Sequence, residues 1–269
     1  MSDFDRTIAV EPLGGGRYGA GIDPAWSGPV SANGGVVAAT MVRAAEAEMG
    51  DGPPPRMITA HYLERIPSGP AEIEVEVLRN GSRVAAAETR IHLEGKLACQ
   101  TTVVFSAPRP QEIEQLAEPP QAPPPEQVPV LSPAVLESFP PLFHQVEMRP
   151  VFGHPETFGN QEPVSGGWIA ISGDEEPFDA ARLCAITDLW WPALFGRMRR
   201  PGSMPTLQLT VHIRSTAVAA PPPVLARFHT RSLIEGHAEE SAEIWSVDGT
   251  LLAESKQMAL VPEERSAVW

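Results

Sequence analysis

Phe178-Asp179-Ala180-Ala181-Arg182-Leu183-Cys184-Ala185-Ile186-Thr187-Asp188-Leu189-Trp190-Trp191-Pro192 is the stretch from which the fold of this chain can be read. It is apolar almost all round, and its pattern predicts one helix. Asp179 stands where an N-cap would satisfy free amides, and Pro192 would end the segment. A helix without a broad polar face belongs in a protein interior. One carboxylate, Asp188, stands near its far end. A charge there is costly unless something pairs with it or uses it.

Downstream of this segment, residues 205–214, 224–233, 238–247 and 250–261 read as strands, with Asp248-Gly249 as a turn. Upstream, a loop through Gly166-Gly167-Trp168-Ile169 leads into it. The N-terminal half has the same layout. Asn33-Gly34-Gly35 opens a helix over 36–49 whose first half is again apolar all round, and Gly50-Asp51-Gly52-Pro53 stops it. Strands follow over 57–66, 71–79, 82–93 and 96–106. In the second, Ala71, Ile73, Val75 and Val77 alternate with Glu72, Glu74 and Glu76, the signature of a sheet with one wet face. Asn80-Gly81 is a two-residue hairpin signal, and Glu94-Gly95 a turn.

Residues 6–12 and 16–22 read as two further short strands around Gly14-Gly15-Gly16. Gly14, Gly16 and Gly19 fit a G-x-G-x-x-G pattern formally. No helix or βαβ unit follows, because Asp23-Pro24 comes next, so a hairpin turn is the reading and a dinucleotide site is rejected.

The halves also match in order and, loosely, in sequence. His61-Tyr62-Leu63 answers His212-Ile213-Arg214, Pro70 answers Pro223, and Glu94-Gly95-Lys96-Leu97 answers Asp248-Gly249-Thr250-Leu251. Each unit is an apolar helix followed by four antiparallel strands. A sheet with one wet face must bury the other, and an apolar helix must be enclosed. The expected fold class is therefore α+β: two antiparallel sheets, each wrapped around its own helix, joined edge to edge to remove two open edges. This is a duplicated hotdog. The expected division is an N-terminal hotdog over 1–106, a linker over 107–147 and a C-terminal hotdog over 148–269. The linker holds eleven of the thirty prolines, a density that forbids helix and interior strand, and is expected to lie extended over a surface.

Composition narrows the function. Of 269 residues 42% are hydrophobic, enough for a sizeable core, and the formal net charge of −14 argues against a nucleic-acid or anionic-membrane surface. The cluster over 197–200 is the one local basic run, read as a solvated loop. Cys99 and Cys184 stand singly in apolar segments, as buried thiols in a reducing compartment do. No signal peptide or membrane-spanning apolar run is seen, so a cytoplasmic location is expected. No metal-ligand spacing and no G-x-S-x-G elbow appears.

Several motifs together resemble the double-hotdog acyl-CoA thioesterases of the bacterial thioesterase II type. In the first half they are Trp26-x6-Asn33-Gly34-Gly35-Val36-Val37-Ala38-Ala39, His61-Tyr62-Leu63 and Pro67-x2-Pro70. In the second they are residues 179–188, Pro205-Thr206-Leu207-Gln208-Leu209-Thr210-Val211-His212, and Leu252-Ala253-Glu254-Ser255-Lys256-Gln257. The resemblance implies hydrolysis of acyl-CoA to free acid and CoA, a step of lipid metabolism needing no cofactor. It implies an Asp, a Thr and a Gln in the second hotdog that hold the attacking water, and the matching positions are Asp188, Thr206 and Gln257. It also implies further association, as a dimer of double hotdogs. The first half has lost the set, with Arg43 near the place of Asp188 and Thr102 near that of Gln257.

The chemistry of these residue types agrees with that role. A carboxylate at a helix end in an apolar core has a raised pKa and can take a proton from water. Thr206 can donate to or accept from that water, and Gln257 can accept from it while its amide donates elsewhere. The backbone N–H groups at Gly34-Gly35, at a helix N-terminus, could polarise the thioester carbonyl. Trp190 and Trp191 are acyl-pocket candidates beside Asp188. His61 and His212 occupy equivalent positions and are read as structural. A non-catalytic acyl-CoA or acyl-group binding protein, and a hotdog hydratase or dehydratase, are the alternatives on the same scaffold.

Overall fold

The computed structural model describes residues 2–109, 112, 116–199, 202–216 and 220–261. The N-terminal half supplies β1 (Val10–Gly14), β2 (Arg17–Ile22), β3 (Pro55–Tyr62), β4 (Gly69–Arg79), β5 (Val84–Leu93) and β6 (Lys96–Ser106). The C-terminal half supplies β7 (Val146–Phe152), β8 (Val164–Ile171), β9 (Thr206–Ile213), β10 (Val224–Ile234), β11 (His237–Trp245) and β12 (Leu251–Leu260). All twelve join in one antiparallel sheet of order β1-β2-β4-β5-β6-β3-β9-β12-β11-β10-β8-β7. Read from either edge, the order is the same once each strand is matched to its repeat partner. The fold is a double hotdog.

The halves meet at β3 and β9, where Thr59 pairs with Thr210 and their hydroxyls lie 3.2 Å apart. These two threonines are 151 residues apart, the same spacing as His61 and His212. A pseudo-twofold axis therefore passes between them, and β-register converts any position in one half into its counterpart in the other.

The helices are α1 (Asp3–Thr7), α2 (Gly34–Met49), α3 (Pro133–Leu136) and α4 (Ala180–Ile186). The apolar faces of α2 and α4 pack in the main core with strand residues of both halves. They run antiparallel: Gly35, at the start of α2, lies against Ala185 and Asp188, while Arg43 further along bonds to Asp179 before α4. The long helix expected over 178–192 is thus only seven residues. Asp179 caps it as expected, accepting from the Arg182 N–H at 2.9 Å. Its end comes early because Thr187 turns its hydroxyl back onto the Cys184 carbonyl at 2.7 Å, and the next amides, of Asp188 and Leu189, bond three residues back. The tightened turn places Asp188 just beyond the helix.

Two strands, β7 and β8, are absent from the sequence reading. β8 holds the Gly166-Gly167 pair that reads as a loop. A Cβ on Gly166 would strike the Ala226 carbonyl, and one on Gly167 the Arg149 carbonyl. These glycines let β8 lie close between β7 and β10, and do not interrupt it. The hairpin at Asn80-Gly81 is also looser than expected, with β4 ending at Arg79 and β5 starting at Val84. Gly14, Gly15 and Gly16 do form a turn between β1 and β2, all at positive φ.

The proline-rich segment does more than lie on a surface. Leu131, Leu136, Leu142 and Phe143 enter the main core, and Val128 packs with Trp168, Leu225 and Trp245. Its carbonyls find side-chain donors: Trp168 Nε1–H reaches Pro123 O at 2.8 Å, and Arg149 reaches Pro125 O at 3.1 Å and Val128 O at 2.9 Å. Of the basic cluster, Arg197 is exposed and pairs with Glu162, and Arg200 lies outside the described residues. Among the described residues no helix is long and apolar enough to cross a membrane.

Candidate active site

The early end of α4 leaves Asp188 at the C-terminal end of one helix and the N-terminal end of another. A carboxylate is disfavoured at the first place and favoured at the second. The structure resolves this by aiming it at α2. Asp188 Oδ2 accepts the Gly35 N–H at 2.9 Å and Asn33 Nδ2 at 3.0 Å, and the same Asn33 amide donates to the Asp188 carbonyl at 2.8 Å. Asn33 also caps α2 by accepting the Val36 N–H at 3.0 Å. One asparagine side chain therefore ties the start of α2 to the end of α4. Gly35 makes the close approach possible, since a Cβ there would sit 2.7 Å from the Asp188 Cβ and 2.8 Å from the Ala185 carbonyl oxygen.

Burial pushes the Asp188 carboxyl up from 3.8 to about 6, against the lowering effect of Gly35, Asn33 and Gly34. The side chain is half-buried, and its open side lines a cavity of about 420 Å³. Trp190, Trp191, Phe139, Phe143 and Phe195 supply an aromatic wall. Both tryptophans are also core residues, their rings 4.7 Å apart, with Trp191 edge-on to Phe139 and Phe158. The Trp190 indole N–H is buried without a hydrogen-bond partner among the described residues.

Thr206 and Gly34 line the same cavity. Thr206 Oγ1 donates to Gln257 Oε1 at 3.0 Å. Asp188 has its hydrogen-bond partners on the α2 side, and Thr206 has Gln257; Asp188 and Thr206 line one cavity, and Gln257 stands behind Thr206. Of the Gly34-Gly35 N–H groups, expected to face a carbonyl, that of Gly35 is held by the Asp188 carboxylate. Gly35 does its work as the close-packing residue and as a donor to Asp188. Tyr62 O–H donates to the Gly34 carbonyl at 2.7 Å and steadies this helix start from β3.

Comparison with known proteins fits this geometry. A family model for the C-terminal domain of acyl-CoA thioesterases matches residues 113–261, and one for the N-terminal domain matches residues 22–106. The chain belongs to the acyl-CoA thioesterase family. It is a thioester hydrolase. Its fold matches a hotdog-fold protein from Alicyclobacillus acidocaldarius with TM-score 0.88 and 23% identity, covering 97% of this chain and 98% of the other. A thioesterase II candidate from Thermobifida fusca matches with TM-score 0.84 and 26% identity over 98% of each chain. The acyl-CoA thioesterase II TesB2 of Mycobacterium marinum matches with TM-score 0.74 and 16% identity, covering 96% of this chain and 98% of that one. No curated protein is matched by sequence.

Beside Gln257 the thioesterase has a further buried acid, which the sequence reading does not single out. Glu240, only 5% exposed, accepts Gln257 Nε2–H at 3.0 Å on one oxygen, and the Ala193 N–H at 2.6 Å and the Thr230 hydroxyl at 3.2 Å on the other. Burial raises it to about 7, opposed by those three donors and reinforced by the negative charge of Asp188. A signal was present: in β11 the inward positions are Ala238, Glu240, Ala242 and Ile244, so a carboxylate stands on an apolar face.

Register also corrects the comparison of halves. Gln257 pairs with Leu209, whose counterpart Ile58 pairs with Val103, so Val103 and not Thr102 replaces Gln257. Glu240 pairs with Gln257, and Val103 with Ala87, so Ala87 replaces Glu240. Thr206 is replaced by Pro55 at the same spacing. The polar set of this thioesterase is confined to one half.

Proposed function

We propose that this enzyme hydrolyses acyl-CoA thioesters to a carboxylic acid and CoA through a water held by Asp188, Thr206 and Gln257. The observation that carries the reading is the Asp188 carboxylate, fixed at the start of α2, raised to about 6 and open to the cavity that Thr206 also lines. Above that pH it is ionised and basic enough to draw a proton from water. The resulting hydroxide adds to the thioester carbonyl carbon. The carbon–sulfur bond then breaks, and the proton held by Asp188 passes to the departing sulfur. The aromatic wall offers the acyl chain an apolar lining, and the shared cavity brings that chain to the carboxylate.

The test is free-thiol release from a panel of acyl-CoAs differing in chain length. Asp188→Ala is expected to lower kcat by on the order of 10²–10⁴ with the fold retained. Turnover undiminished in that variant removes Asp188 from the reaction.

A further inference from the structure

Glu240 is a buried acid that the hydrolytic scheme leaves without a role. The repeat shows that the fold does not require it, because β5 carries buried Ala87 at the matching position. Its partners suggest what it does. A glutamine amide is nearly symmetric in shape, and either its oxygen or its NH2 could face Thr206. An ionised carboxylate accepts hydrogen bonds only. Glu240 Oε1, 3.0 Å from Gln257 Nε2, therefore selects one orientation. Gln257 Oε1 is left to accept the Thr206 O–H at 3.0 Å. The Thr206 proton is then spent on Gln257, and its oxygen presents lone pairs.

We propose that Glu240 is a positioning residue that holds the Gln257 amide oxygen toward Thr206, making this corner of the cavity a set of acceptors. This rests on the reading of Asp188, Thr206 and Gln257 given above. A water there gives its protons to the Asp188 carboxylate and to the Thr206–Gln257 pair, and its free lone pair points at the substrate. With the amide reversed, the NH2 group would donate to Thr206. The Thr206 O–H would then turn to the water and occupy the lone pair needed for attack. Groups facing Glu240 are the Ala193 N–H from the turn after Pro192, Thr230 on β10, Gln257 on β12 and the charge of Asp188.

Glu240→Gln tests this with little change of shape. The new amide oxygen stays with the Ala193 N–H and Thr230 hydroxyl donors, its NH2 meets Gln257, and the Gln257 amide must reverse. The expected result is kcat lowered by roughly 10–100-fold with KM within about twofold. In a Gln257→Ala background the same substitution should change kcat by less than about twofold, since Glu240 acts only through Gln257. A fully active Glu240→Gln enzyme, or losses that multiply in the double variant, overturns the proposal. Wild-type protein gives an independent readout if the variant does not fold. The side-chain 15N signal of Gln257, assigned by its loss in Gln257→Ala, should shift with a midpoint near 7 as Glu240 titrates. A signal flat from about pH 5 to 9 also overturns it. The two levels of argument separate cleanly. Full activity in Gln257→Ala removes the water-holding set itself, whereas an impaired Gln257→Ala beside an unimpaired Glu240→Gln removes Glu240 alone.

Discussion

Replacing Asp188 by asparagine should make the protein more stable and far less active, and the size of the gain follows from the site. The carboxyl rises from 3.8 to about 6 on folding because burial disfavours its charged form. A tenfold change in a protonation equilibrium is worth about 1.4 kcal/mol. The ionised carboxylate therefore costs the folded state about 3 kcal/mol, or about 2 kcal/mol allowing for its open side on the cavity. The sign is fixed by linkage. Below 3.8 the group is neutral in both states and costs nothing. The cost accrues as pH rises from 3.8 to about 6 and is complete above that. The substituted carboxamide never ionises, and its oxygen can still accept from Gly35 and Asn33. At pH 8 Asp188→Asn should melt about 5 °C higher than wild type, and near pH 4 the gain should nearly vanish. Thiol release at pH 8 should fall by roughly 10²-fold or more, and wild-type kcat/KM should rise with pH through about 6. Paired thermal melts at the two pH values, with one kinetic series, decide the matter. A variant no more stable at pH 8, or equally stabilised at both, would show that desolvation does not set the state of Asp188.

Gly35→Ala should push α2 away from the end of α4, because its Cβ meets Asp188 and the Ala185 carbonyl oxygen below 3 Å; we expect a loss of about 1–3 kcal/mol in thermal unfolding together with a fall in kcat, and a fully stable, fully active variant would refute the close-approach argument. Arg182→Ala strips the counter-ion from Asp174, whose side chain is 2% exposed, and leaves Asp5 and Asp179 with Arg43 alone; urea unfolding near neutral pH should show a loss of about 3–5 kcal/mol, and a loss below 1 kcal/mol would mean these charges are solvated.

How much of this was legible depended on whether the signal was local. The alternation of β4, the Asp179 cap and the repeat spacing each lie within a short run of residues, and the antiparallel double hotdog follows from them. Asp188, Thr206 and Gln257 were nameable for a different reason, the resemblance of their surroundings to a family, and Thr206 and Gln257 lie in hydrogen-bond contact. What was not legible depends on partners distant in sequence. The Gly166-Gly167 pair looks like a loop until Ala226 and Arg149 are found against it. Prolines limit the linker to short pieces such as α3, and nothing local says that Trp168 and Arg149 will satisfy its carbonyls. Apolar character overstates the length of α4, because it says a segment is buried and does not say where its hydrogen bonds tighten. The sequence marks Gly35 as an N–H donor, but the acceptor it meets, Asp188, is 153 residues away.

The pseudo-twofold axis gives the two helices two similar corners, and the difference between them is electrostatic. At one corner the N-cap of α4, Asp179, meets Arg43 of α2 and Arg182, and Arg182 also reaches Asp174 and Asp5. α1 closes over this corner, with Phe4 under the Arg182 guanidinium at 5.9 Å. Each carboxylate there has a cation, and the corner holds α1 to the core. At the other corner the N-cap is Asn33 and the facing acid is Asp188, held by amides alone. Amide donors hold a carboxylate in place without cancelling its charge. Asp188 therefore keeps a raised pKa and an open lone pair, the two properties a base for water needs. Duplication supplied two sites for a charge between helices. Arginines at one and, among the described residues, amides alone at the other make the first a brace and leave the second the uncompensated carboxylate on which the proposed hydrolysis rests.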